Sequence, residues 1–173
     1  MKRYLFSYND NDDKLLTYFH NKGKDIILVT NNSTSSRQAY LAKVERLFGP
    51  GHNLNLTKDN IFGSAYSAAY YLDSIARVPK DKAIYVIGQS GIVDEIQDMG
   101  YRVISSDCCQ SSGDTESMHS IHEQWLQLAT LQIAAVVIGF DLFFNYRKLT
   151  QAFRLLHGKT DAEILFIATN TDR

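Results

Sequence analysis

The chain has 173 residues, 45% of them apolar and 21% charged. That is the composition of a folded globular protein with material for one sizeable core or two small ones, and it excludes a disordered chain. Its 18 basic and 19 acidic side chains leave a formal charge of -1, too weak a field to draw in nucleic acid or an acidic membrane, so a small, locally recognised ligand is the expected partner.

In chain order, short β-branched runs alternate with longer segments of helical period, which predicts an α/β protein with a largely parallel sheet. Asp10, Asp12 and Asp13 precede Leu15, Leu16, Tyr18 and Phe19 and read as the cap and acidic first turn of a helix. Ile26-Ile27-Leu28-Val29 predicts the first strand. Tyr40, Leu41, Val44, Leu47 and Phe48 recur at helical spacing, after the capping candidates Ser33 to Ser36 and before Gly49-Pro50-Gly51. A second helix is predicted over residues 65–75 and a third over 92–99, separated by the strand Ala83-Ile84-Tyr85-Val86-Ile87. Tyr101-Arg102-Val103-Ile104 is a less apolar strand candidate, followed at residues 105–120 by a loop rich in Ser, Asp, Gly and Cys, and by a helix-like stretch over 121–131. The strand Ala134-Ala135-Val136-Val137-Ile138, a helix over 146–156 with Leu149, Ala152, Phe153 and Leu156 as its buried stripe, and the strand Ile164-Leu165-Phe166-Ile167-Ala168 complete the pattern. The continuous apolar runs are expected to be covered on both faces.

No apolar run reaches the length of a membrane span, and the opening Met1-Lys2-Arg3-Tyr4-Leu5-Phe6-Ser7 is too short in apolar residues for a secretory signal; a cytoplasmic protein is expected. Cys108 and Cys109 are adjacent and poorly placed to staple distant segments, so both read as reduced bystanders. Gly88-Gln89-Ser90-Gly91-Ile92 has isoleucine where a hydrolase elbow needs glycine, which makes Ser90 a helix cap candidate. His119 and His122 have the spacing of a helical metal pair but no third ligand at a recognised distance.

The stretch richest in chemistry is Val29-Thr30-Asn31-Asn32-Ser33-Thr34-Ser35-Ser36-Arg37, where a strand ends in hydroxyls and amides before a helix opens. In open α/β sheets, ligands bind beyond the carboxyl ends of strands, where free N–H groups and the helix dipole favour an anion. Thr30 has a hydroxyl, Asn31 and Asn32 amide donors, and Arg37 a charge for a phosphoryl group. A turn followed by an N-cap would use the same residues.

This stretch resembles the second motif of the haloacid-dehalogenase superfamily, in its branch of 4-nitrophenylphosphatase, phosphoglycolate phosphatase and pyridoxal phosphatase. Ile61-Phe62-Gly63-Ser64-Ala65-Tyr66 resembles the branch's entry to its cap, Val86-Ile87-Gly88-Gln89-Ser90-Gly91 a cap strand and turn, and Val137-Ile138-Gly139-Phe140-Asp141 with Asn145-Tyr146-Arg147-Lys148-Leu149 the cap's specificity loop. Ala168-Thr169-Asn170-Thr171-Asp172 resembles the return to the core.

The resemblance implies part of a Rossmann-like core over residues 1–79, an α/β cap over 80–168, and the start of the return to the core at 169–173. It implies Thr30 as the phosphate-contacting hydroxyl, Asn31, Asn32 and Arg37 around the entrance, and Asp141, Phe143 and Tyr146 on the loop that covers the substrate. Such enzymes hydrolyse small phosphomonoesters through an aspartyl-phosphate with Mg2+. Their Asp-x-Asp-Gly nucleophile motif has only a poor match here: Asp10-Asn11-Asp12 is followed by Asp13 and stands 20 residues before Thr30. The metal-holding aspartates and lysine have no match either, so an incomplete chain, inactive alone, is expected. The alternative is a cap fold kept for binding without chemistry, pairing with a second copy through the cap.

Overall fold

The computed structural model describes residues 12–48, 54–105, 126, 128, 130–158 and 163–170. Asp10, the 49–51 turn, both cysteines, His119, His122, Thr171, Asp172 and most of the 105–131 segment lie outside the described residues.

The fold is α/β with parallel sheets, as the sequence pattern requires. Helix α1 (Asp12–Asn21) leads to strand β1 (Leu28–Thr30), helix α2 (Arg37–Phe48), a 3-10 turn at Lys58–Asn60 and strand β2 (Ile61–Gly63). β1 and β2 pair in parallel, Leu28 with Ile61 and Thr30 with Gly63. Helix α3 (Ser64–Tyr70) runs on into a π turn at Tyr71–Ile75. Then come β3 (Ala83–Ile87), α4 (Ser90–Asp98), β4 (Arg102–Ser105), β5 (Ile133–Ile138), α5 (Tyr146–His157) and β6 (Leu165–Ala168). These last four strands form a second parallel sheet in the order β4-β3-β5-β6.

The larger sheet carries most of the described core. Alternation sends Ile84, Val86, Ala135 and Val137 to one face, against Ala65, Ala69 and Leu72 of the α3 segment and Ile92 and Ile96 of α4. Tyr85, Ile87, Ile133 and Val136 face the other way, against Ala152 and Leu155 of α5. All five β3 residues are buried, and each such Ile or Val contributes about 1.5–3 kcal/mol by leaving water. Among the described residues, the smaller sheet is associated with the cluster of Leu16, Ile26 and Leu54, and its own Ile61 is buried.

Two expectations need correction. Val29 of β1 and Phe166 of β6 are 53% and 58% exposed, because neither strand has described partners on both sides; full burial holds only for central strands. The buried stripe of α5 is also rotated by one residue. Lys148, Gln151, Ala152 and Leu155 face inward, while Leu149 and Phe153 are 49% and 60% exposed. Polar partners explain the rotation: Lys148 meets Asp141, and Gln151 accepts the Tyr85 hydroxyl at 2.8 Å, so two polar side chains are satisfied inside.

Candidate functional site

Thr30 ends β1 at the carboxyl edge of its sheet, the position an anion site requires. The following loop is stitched by its own polar groups. The Asn32 N–H donates to Thr30 Oγ1 at 3.2 Å and the Thr34 N–H to Asn32 Oδ1 at 2.7 Å, so the chain reverses tightly. Thr30 Oγ1 lies 3.2 Å from the Tyr40 hydroxyl of α2. From the end of β6, Asn170 donates its amide to the carbonyl and side-chain oxygens of Asn31, and Ser64 at the start of α3 donates to the same carbonyl at 3.0 Å. Segments 139 residues apart thus meet on Asn31.

The larger sheet presents its own carboxyl edge to this loop. Gly139, just past β5, has no space for a side chain: a Cβ there would lie 2.3 Å from Ile92 Cδ1, 2.7 Å from Thr169 Oγ1 and 3.3 Å from Ser33 Oγ. Gly91 in α4 meets backbone instead of side chain, with a Cβ 2.5 Å from Ser35, and its N–H donates to the Thr34 carbonyl at 3.3 Å. Between these contacts opens a cleft of about 580 Å3, lined by Asn31, Asn32, Ser33 and Thr34 on one side and by Ile138, Gly139, Phe140 and Asn170 on the other. Its described lining is uncharged, with amides and hydroxyls opposite an apolar wall.

Arg37 does not join that lining. It is 8% exposed, with Nε 3.0 Å from Glu95 Oε2 of α4, Nη1 3.5 Å from Asp59 Oδ1, and the guanidinium 3.7 Å from the centre of the Tyr66 ring. Its backbone N–H, the first of α2, donates to Glu95 Oε1. A carboxylate of the chain itself thus sits at the α2 terminus, where the sequence offers an anion site, and the Arg37 charge is paired with it. Asn31 and Asn32 line the cleft, Thr30 ends β1 next to them with its hydroxyl bonded to Tyr40 and the Asn32 N–H, and Arg37 is held by Glu95.

On the loop after β5, Asp141 turns inward. Its carboxylate accepts the Phe143 N–H at 2.9 Å and pairs with Lys148 Nζ at 2.7 Å, the two side chains being 2% and 0% exposed. Asp141 braces the loop and does not face the cleft. Phe143 and Tyr146 are 67% and 82% exposed, and the residue of this loop that lines the cleft is Phe140.

The model of haloacid dehalogenase-like hydrolases matches residues 10–102. The chain belongs to this family. It is 38% identical over 151 residues to the chloroplastic phosphoglycolate phosphatase 1A of Arabidopsis thaliana, an alignment covering 87% of this chain and 38% of that protein. Among solved structures it is similar to the p-nitrophenyl phosphatase of Archaeoglobus fulgidus, with a TM-score of 0.66 at 22% identity over 96% of this chain and 50% of the other. It is similar also to the glycerol phosphate phosphatase of Mycobacterium tuberculosis solved with magnesium, with a TM-score of 0.56 at 20% identity over 86% of this chain and 35% of the other. The chain thus spans half or less of the length of these proteins.

Among the described residues of this haloacid dehalogenase-like chain no three His, Cys, Asp or Glu side chains come together. None of the described helices is long and apolar enough to cross a membrane. Ser90 opens α4 as its first residue, while Gln89 holds the cap position without a side-chain bond. Gly139 and Asn170 fall in stretches that carry the family resemblance but have no individual role there, and Glu95 falls in none. Glu95 lies in a helix where any exposed-face carboxylate looks alike; only its position four after Gly91 gave a signal, because residues so spaced share one helix face.

Proposed function

We propose that this chain is the phosphate-gripping and substrate-covering part of a cytoplasmic phosphatase that hydrolyses small phosphomonoesters of the 4-nitrophenyl phosphate or 2-phosphoglycolate kind. The observation that carries this is the convergence of two parallel sheets, carboxyl edge to carboxyl edge, on the loop that lines the 580 Å3 cleft. Residues 1–79 would belong to the core, 80–168 to the cap and 169–173 to the return strand. The names of the phosphatases to which the chain is similar support the substrate class.

In the family's complete form a carboxylate oxygen attacks phosphorus, the alcohol leaves, and water cleaves the resulting aspartyl-phosphate. The part assigned to these residues is binding and orientation. Thr30, Asn31 and Asn32 hold the phosphoryl oxygens, and Phe140 with Ile138 covers the organic group. Neither Asp10 nor Asp12 receives a catalytic role.

Calorimetric titration of the chain with 2-phosphoglycolate tests this. Saturable binding is expected, weakened about tenfold by Asn32→Ala, the loss of one hydrogen bond to a charged group. Absence of saturable binding would overturn the reading, and Asp10-dependent turnover of a chromogenic phosphomonoester with Mg2+ would overturn the assignment of binding alone.

A second reading, a binding protein that pairs with its own copy through the cap, is favoured by the exposure of Leu142, Phe143, Phe144, Tyr146 and Phe153 on one loop-helix unit. Light scattering on the purified chain decides it, and a monomer at the highest soluble concentration excludes it.

A further inference from the structure

We propose that Glu95 is a positioning residue for the phosphate loop: acting through Arg37 from the neighbouring helix α4, it fixes residues 31–36 in the form that receives a phosphoryl group. The inference rests on the phosphate-binding reading of that loop, and it concerns a buried carboxylate to which that reading gives no part.

Three observations carry it. Glu95 is buried, yet both carboxylate oxygens serve a single residue 58 positions away: one takes the Arg37 backbone N–H and the other its Nε at 3.0 Å. The Tyr66 ring at 3.7 Å holds the guanidinium plane from a third element, and Asp59, the other acid at hand, is 82% exposed. Finally, the same face of α4, one turn earlier, meets the loop directly, through the Gly91 N–H on the Thr34 carbonyl and the absence of a side chain against Ser35. Residues 91 and 95 therefore grip the loop and the first turn of α2 together.

The charge of Glu95 has a use in this place. The first N–H of α2 and the positive end of its dipole would otherwise compete with the loop for an incoming anion. With a carboxylate fixed there, the anion is left to the amides and hydroxyls of residues 30–34. Arg37 keeps the carboxylate in register and cancels its charge.

The sign of one measurement separates this role from simple proximity. A negative charge near an anion site repels the anion, so if Glu95 acted only by its field, Glu95→Gln would tighten phosphate binding. Positioning predicts the reverse. The test is titration of the isotope-labelled full chain with inorganic phosphate, read at the backbone and side-chain amides of Asn31 and Asn32, with urea unfolding of each variant alongside. Glu95→Gln is expected to weaken phosphate about tenfold or more in the folded protein. Arg37→Lys keeps the charge and the backbone bond but loses the Nε bond and the planar stacking, and is expected to weaken it about threefold. Lys58→Gln, which removes an exposed pair with Asp98 on the same helix, is expected to leave it unchanged.

Equal or tighter binding by Glu95→Gln overturns the inference and leaves the phosphate reading standing. If that variant does not fold, unchanged affinity in Arg37→Lys overturns it equally. A wild-type chain whose loop amides never respond to phosphate overturns the phosphate reading, and the inference with it.

Discussion

Two loops leave the carboxyl ends of parallel strands in this protein, the one after β1 and the one after β5, and each is pinned by a buried ion pair. After β5 the pair is local: Asp141 and Lys148 are seven residues apart, and the acid also takes the Phe143 N–H of its own loop. After β1 the pair reaches across the molecule, because Arg37 finds Glu95 58 residues on. The loop after β5 carries its own brace and can hold its shape wherever its strand and helix hold theirs. The loop after β1 has local bonds of its own, but its ion pair and its contact with Gly91 come from α4, so part of its geometry reports on the meeting of the two sheets.

Substitutions sharpen the contrast, beginning with the largest effect. Glu95→Ala strands the Arg37 charge with only the exposed Asp59 beside it, and Lys148→Met strands the buried Asp141; each is expected to cost about 3–5 kcal/mol in urea unfolding. The pairs then diverge on repair. Asp141→Leu with Lys148→Met is expected to recover most of the loss, because the Phe143 N–H that Asp141 accepts is exposed and turns to water. Arg37→Met with Glu95→Leu is not, because the first N–H of α2 still lacks an acceptor. Equal recovery in both would erase the distinction.

Gly91→Ala comes next. A Cβ 2.5 Å from the Ser35 backbone forces α4 and the loop apart, an expected loss of about 1–3 kcal/mol, with amide shifts spreading over residues 33–37 and leaving the 141–148 loop unmoved. Asn145→Ala strikes the other loop alone. Its side chain accepts the Lys148 N–H at 3.0 Å as the cap of α5, and its loss is expected to cost about 1 kcal/mol without changing phosphate affinity.

The smallest effect lies outside both loops and is a control in pH. Asp73 is held below the usual carboxylate range chiefly by its hydrogen bond from Lys80. For Lys80, burial pulls downward, but the hydrogen bond to Asp73 and the contact with Tyr101 carry it above its ordinary 10.5. Both groups are partly exposed, so the contribution is small. An acid lowered on folding stabilises above its ordinary value and loses that as pH falls through the lowered one; a base raised on folding does so up to 10.5 and loses it above. The gap between the urea midpoints of Lys80→Gln and the wild type should therefore narrow toward the acid extreme, where the contacts of Lys80 with Met99 and Tyr101 remain but Asp73 is neutral, and widen slightly at neutral pH, with no response in either loop.

Much of this fold was legible because its signals are local. The runs at 83–87 and 133–138 are strands for the reason their composition gives, and the step from Thr30 into α2 carries hydroxyls and amides where a strand must turn. What could not be read depends on tertiary partners. Arg37 looked like a charge offered to a ligand, since nothing near it in sequence announces Glu95. Leu149 and Phe153 looked buried because periodicity counts apolar residues and ignores that Lys148 and Gln151 each meet a polar partner inside. The inward turn of Asp141 within its loop has the same cause, a buried partner in Lys148.

The central claim is that an anion belongs to the loop and not to the terminus of α2. A crystal of the chain soaked in tungstate, a tetrahedral oxyanion with strong anomalous scattering, locates such an anion without reference to activity. The account predicts a peak within hydrogen-bonding distance of Asn31 and Asn32, with the Arg37 to Glu95 bonds intact. A peak at the first turn of α2 with Glu95 displaced, or no peak along the cleft at saturating tungstate, would contradict it.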